Sequence, residues 1–151
     1  MKSPALSPRM AAVAALIPDE GVVADIGADH GRLAVWLAGR GRRVIAVDVS
    51  APSLAKSAAL AARCGVADRV SCRLGDGMEP LSPGEAQIAV LAGMGGRTME
   101  EILSADPVKT RTLQLVLQPM NAGGALRGWL YRNGFGIMGE GYGVERGSIR
   151  Q

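Results

Sequence analysis

The sequence predicts a single α/β domain, a doubly wound and mostly parallel sheet with helices on both faces. Short apolar runs alternate with helix-like stretches from Val22 onward, the pattern of repeated strand–helix units. The first of those runs, 22–26, is apolar without alternation, as expected of a strand covered on both sides. Aromatic residues make up only 3% of the chain, so Ala, Leu, Val and Gly must fill the interior, which suits helices packed closely on a sheet. A length of 151 residues allows one sizeable core and not two. Residues 1–151 are therefore read as one domain, with 1–20 as an N-terminal helical segment.

The elements follow in order. Lys2 and Arg9 ahead of a short apolar run faintly imitate a signal peptide, but the run is brief and the fold starts directly after it. An amphipathic helix over 10–17 is the better account. Residues 22–26 form the first strand, and a glycine turn leads to a helix over 31–38. The second strand, in "RVIAVDVS", ends in Asp48, and Pro52 sits in the first turn of a helix over 52–63 that Gly65 closes. A third strand reaches Asp76-Gly77. A fourth, within 84–96, runs into the small-residue loop "AGMGG" and a helix over 98–103. A fifth, 112–119, stops at Pro119, and a helix over 122–132 ends before Asn133-Gly134. The glycine-spaced tail suggests a twisted strand and a short, incomplete antiparallel hairpin turning near Arg146-Gly147. An edge left short there invites pairing with a second copy of the chain.

Composition bounds the function classes. A net charge of +3 and a pI near 9.2 permit an RNA partner without demonstrating one. Cys64 and Cys72 form no CxxC and have no histidine cluster beside them, so they read as reduced thiols of a cytoplasmic protein, with no metal site. No apolar run approaches the ~18 residues of a membrane span.

In such a sheet, ligands bind beyond the carboxyl ends of the strands. Four of those ends carry polar or small residues: Asp25, Gly27, Asp29 and His30; then Asp48 with its neighbour Val49; then Asp76 and Gly77; then Ala92 to Gly96. Gly27 permits a tight turn beside a ligand. Asp48 follows it by ~20 positions, the spacing of a carboxylate that binds a ribose diol. A dinucleotide loop would carry GxGxxG and bare amides for a pyrophosphate. Here the turn is "GADHG", and an acid at Asp29 would repel that group. S-adenosylmethionine, with a sulfonium and an ammonium, suits acids at Asp25 and Asp29, and Asp76 is placed to accept from an adenine amine. His30 can bind the cofactor, move a proton near the target, or cap the next helix.

The blocks "LSPRM", "VADIGADHGRL", "RLGDGMEPL", "LAGMGGRTMEEIL", "LQPMNAGGALRGWL" and "NGF…E…VERG" run in order from Leu6 to Gly147. They resemble the bacterial tRNA (adenine-22-N1)-methyltransferase family, the TrmK-like proteins, and "DIGADHG" with "AGMGG" is the most specific combination. The resemblance implies a Rossmann-like class I methyltransferase that transfers a methyl group from S-adenosylmethionine to N1 of an adenine in tRNA. Adenine N1 already has a free lone pair, so the chemistry lies in alignment and in stabilising the cation formed. Asp29, Gly93, Met94 and Gly95 are then the catalytic candidates. Arg9, Asp25, Gly27, Asp29, His30, Asp48, Val49, Asp76, Gly77, Ala92 and Gly93 surround the cofactor. Met94, Gly95, Gly96, Gln118 and Asn121 face the base, the glycines by letting a flat ring approach, although Asn121 can equally cap the following helix. Arg32, Arg97, Arg127 and Arg132 are available to tRNA phosphates. Family members continue past the equivalent of Gly147 into a helical extension that helps hold tRNA, whereas this chain stops at Gln151. A smaller RNA, a small metabolite, or a cofactor-binding module without activity are the alternatives.

Overall fold

The computed structural model describes residues 3–140, 143–145 and 148–150, the last two stretches by their backbone alone. Five strands form one sheet: β1 (Val23–Ile26), β2 (Val44–Asp48), β3 (Val70–Leu74), β4 (Ile88–Met94) and β5 (Gln114–Pro119). Their order is β3-β2-β1-β4-β5 and every pairing is parallel. The chain therefore reverses direction across the sheet between β1 and β4, which opens a crevice at their carboxyl ends. β1, at the centre, is buried at all four residues, as its unbroken apolar pattern requires.

The two faces carry separate cores. Ala24 and Ile26 of β1 pack with Leu91, Met99, Leu103 and Leu126, beneath α4 (Gly96–Ala105) and α6 (Gly123–Arg132). Val23, on the opposite face, packs with Val13, Leu33, Leu37 and Val90, beneath α1 (Pro8–Leu16) and α2 (Arg32–Ala38). α3 (Ala51–Arg63) covers the β2–β3 side, and Ala61 packs against Val35, Ala38 and Val66. The amphipathic N-terminal helix is present as α1. Its first turn is fixed by Ser7, whose hydroxyl accepts from the Met10 amide, and by Pro8 at the start. Ser50 caps α3 in the same way, through the Ser53 amide.

Several boundaries differ from the sequence reading for local reasons. α4 starts two residues earlier than the pattern suggested, because Gly96 already lies in the helix and is buried. A five-residue helix, α5 (Pro107–Arg111), precedes β5, with Asp106 accepting from the Lys109 amide. α6 is not capped by Asn121. Its cap is Ala122, in the left-handed region at φ 54°, without a side-chain bond. At the C-terminus β6 (Gly143–Glu145) and β7 (Ser148–Arg150) pair antiparallel as a two-stranded sheet of their own. The turn expected at Arg146-Gly147 lies outside the described residues. Along the outer side of β5, the end of α1, α6 and residues 135–140 line an open apolar groove of about 750 Å³. It lies at the sheet's edge, away from the loops that follow β1 and β2.

Candidate active site at the carboxyl edge of the sheet

The first loop is built from backbone bonds. The Gly27 and Ala28 amides donate to the Val47 carbonyl at 2.8 and 3.0 Å, so the turn after β1 is held on the end of β2. Gly27 (φ 75°) and Gly31 (φ 81°) take left-handed conformations, which glycine adopts without cost. Asp29 does so as well, at φ 54°, where a side chain is strained. Its amide donates to Asp48 Oδ2 at 2.8 Å. Asp48 Oδ1 accepts from the Ser50 amide at 2.9 Å. Both oxygens of Asp48 are thereby aimed, and each keeps a lone pair for a further donor.

Asp25 lies inward of this loop. The residue is 4% exposed, and its carboxyl meets no hydrogen-bond donor among the described residues. Burial, and secondarily the charge of Asp48, pushes its carboxyl up from 3.8 to about 7. Asp29 and His30 are both exposed, with His30 Nε2 3.6 Å from Asp29 Oδ1. Val49 is 70% exposed beside Asp48, an apolar surface at the mouth that burial alone would not place there. The third-strand loop follows: the Gly75 amide bonds the Asp48 carbonyl, Asp76 is exposed, and Gly77 (φ 59°) sits against Ile102 of α4.

The "AGMGG" segment closes the site from the β4 side. In the register of β4 on β5, Ala92 faces Gln118 and Met94 faces Pro119, so Gly93 is an extra residue, a bulge at φ 74°. Gln118 is buried and its amide oxygen accepts twice, from the Gly93 amide and from Arg9 Nη1, both at 3.0 Å. Arg9 thus reaches from α1 to the strand ends, and a Cβ on Gly93 would come within 3.3 Å of its guanidinium. Met94 leans back over the first loop, its methyl carbon 3.1 Å from where a Cβ of Gly27 would stand.

The glycines of this segment differ in what surrounds them. Gly96 was expected to admit a base, but a Cβ there would meet the Ala122 and Asn121 carbonyl oxygens at 2.8 and 2.9 Å. Its space is taken by the close approach of α4 to the loop before α6. Gly95 faces the flexible Asn121 side chain at 3.0 Å, and Gly93 the Arg9 side chain. Gln118 points to Arg9 and Gly93 rather than outward, while Asn121 is exposed at the rim. One residue escaped the sequence reading altogether. Ser57 of α3, fully buried, donates its hydroxyl to the Asp29 carbonyl at 2.9 Å, and no motif or spacing marks it. The described residues hold no group of three or more His, Cys, Asp or Glu suited to a metal, and no helix long and apolar enough to cross a membrane.

A family model for a methyltransferase domain matches residues 6–150. The chain is 34% identical over 138 residues to the tRNA (adenine(22)-N(1))-methyltransferase of Bacillus subtilis (strain 168), covering 89% of this chain and 58% of that protein. The chain therefore spans little more than half the length of that relative. Among solved structures it is similar to the B. subtilis m1A22 tRNA methyltransferase TrmK, at 31% identity and TM-score 0.85, over 97% of this chain and 64% of that one. It is also similar to a candidate tRNA (m1A22) methyltransferase of Streptococcus pneumoniae solved with S-adenosyl-L-methionine, at 29% identity and TM-score 0.91, over 97% and 70%. The parallel sheet, the acid-lined crevice at its switch point and a family match along almost the entire chain lead to one conclusion: the chain belongs to the methyltransferase domain family.

Proposed function

We propose that this chain is an S-adenosylmethionine-dependent methyltransferase acting on N1 of an adenine in tRNA. The observation that carries the reading is the approach of Met94 to Gly27. It brings the two most distinctive sequence blocks, "GADHG" and "AGMGG", into one crevice, and the B. subtilis relative, 34% identical over 138 residues, is a tRNA (adenine(22)-N(1))-methyltransferase.

The residues fit the cofactor. Asp25 is a buried carboxyl without a donor, beside the carboxylate of Asp48, and such a pair is relieved by positive charge. Asp48 is pre-aimed by two amides and accepts from a ribose diol; Val49 offers an apolar face to a base; Asp76 accepts from an exocyclic amine. Gly27 and Gly77 keep the loops low, and Arg9, beside Gly93, suits a carboxylate. When bound, the cofactor supplies a methyl group on a positively charged sulfur.

The chain's residues do the rest. The Gly93 bulge turns Met94 and Gly95 toward the crevice, where Met94 presents an apolar surface to the target ring. Gln118 holds Gly93 and Arg9 together, so it supports substrate and cofactor sides at once. Asn121, at the rim, offers an amide to the base edge. Asp29, exposed and fixed by its backbone, sets a negative charge against the cationic cofactor and beside the cationic N1-methyladenine that forms there. His30, beside Asp29, orients that carboxylate.

The test uses labelled S-adenosylmethionine with an unmodified tRNA transcript carrying adenine at position 22, followed by digestion to nucleosides. Label in 1-methyladenosine is the expected result, absent when that adenine is replaced by guanine. Cofactor binding without label in any RNA would sink the reading and leave a small-molecule methyltransferase or a binding module.

A further inference from the structure

The loop that faces the crevice contains a residue in a conformation that its own chemistry does not favour. Asp29 sits at φ 54°, left-handed, between two left-handed glycines. Something must hold it there. Its amide is taken by Asp48 Oδ2, which accounts for one side of the residue. The other side is taken from beneath by Ser57, on α3 and distant in sequence.

Ser57 is fully buried, yet it is polar. A serine within a helix ordinarily returns its hydroxyl to the carbonyl one turn earlier, here Ser53. That acceptor is available at 3.2 Å, but the Asp29 carbonyl is nearer, at 2.9 Å. One hydroxyl proton favours the nearer oxygen, so the bond that crosses between elements prevails over the local one. Gly31 makes this possible: a Cβ there would lie 2.6 Å from Ser57 Oγ. The glycine that opens α2 thus also admits the hydroxyl to the underside of the loop.

We infer that Ser57 is a positioning residue for the cofactor loop. By binding the Asp29 carbonyl while Asp48 binds the Asp29 amide, it fixes both peptide groups of Asp29 and so aims the Asp29 carboxylate. It touches neither cofactor nor substrate and acts only through Asp29. This rests on the reading of the crevice as an S-adenosylmethionine site.

The test is a double-mutant cycle on cofactor affinity, read by calorimetry, together with amide hydrogen exchange on the free protein. Ser57→Ala is expected to weaken S-adenosylmethionine binding about tenfold, the scale of one buried hydrogen bond. In an Asp29→Asn background the same change should cost less than twofold, since the group it positions has already lost its charge. Exchange at the Asp29 amide should quicken about tenfold in Ser57→Ala while the amides of Val23–Ile26 keep their rates. Unchanged affinity in Ser57→Ala overturns the inference. So does an equal loss in both backgrounds, or a uniform rise in exchange, because either means that Ser57 serves stability alone. Should the wild-type chain fail to bind S-adenosylmethionine, the proposed function fails instead, and the exchange pattern, which needs no cofactor, still decides whether Ser57 holds the loop.

Discussion

Asp25 stands where a charge is expensive, inside the central strand with a second carboxylate nearby. Its carboxyl is raised from 3.8 to about 7, so between those values the folded chain keeps a proton that the unfolded chain has lost. Stability from this group is present at acid pH and lost as pH rises toward 7. Between pH 5 and pH 8 the loss amounts to roughly 2–3 kcal/mol, and urea unfolding across that range should show it. Asp25→Asn should flatten that slope and be the more stable protein at pH 8, while binding S-adenosylmethionine more weakly. A cationic ligand favours the ionised form, so wild-type affinity should rise as pH passes 7. Gln118 is a different case, a buried amide whose oxygen serves two donors. Gln118→Leu leaves the Gly93 amide unpaired and should cost about 2 kcal/mol, seen as a lower melting temperature, and should depress methyl transfer more than cofactor binding. The places of Asp25 and Asp48 at the carboxyl ends of β1 and β2 were legible, because each stands near the end of an apolar run. The duty of Gln118 was not, because its partners come from positions 9 and 93 and meet only in the fold.

At the level of elements, the helices are positioned by a few close contacts. Gly96 lets α4 lie against the backbone of residues 121–122. Gly96→Ala should push the two apart and destabilise by about 1–3 kcal/mol, measurable by denaturant unfolding. Ser7 holds the first turn of α1, from which Arg9 extends, so Ser7→Ala should cost about 1 kcal/mol and also loosen Arg9 from Gln118. The central strands could be read in advance because β1, β2 and β4 are short apolar runs that end near glycine or aspartate. α5 could not, since Pro107–Arg111 is too short for a helical period to emerge. Asn121 looked like a cap from its place before a helix, but the left-handed Ala122 takes that position instead. The Gly93 bulge was half legible: the glycine is plain in the sequence, whereas the extra residue appears only when β4 is set against β5.

For the whole molecule, helix direction sorts the arginines that sequence alone left equivalent. Arg32 begins α2 and Arg97 lies in the first turn of α4, so both stand at the carboxyl edge with the crevice, and both are exposed. Arg132 ends α6 at the opposite edge, and Arg127 is paired with Glu140 at 2.7 Å. With tRNA as substrate, Arg32→Gln and Arg97→Gln should each weaken binding and lower the salt slope by about one, as read by filter retention across salt concentrations. Arg132→Gln should change neither. The strand order has one more consequence, for the making of the protein. β1 lies between β2 and β4, and β4 ends more than sixty residues after β1 begins. No hairpin can nucleate this sheet, so its assembly depends on distant contacts and is slow compared with that of a helical bundle of equal size. On the ribosome, the loop after β1 and its acids emerge before β4, with one edge of β1 still open. The half-made chain holds this acid-bearing loop beside an unpaired strand edge, until β4 arrives to close the centre of the sheet.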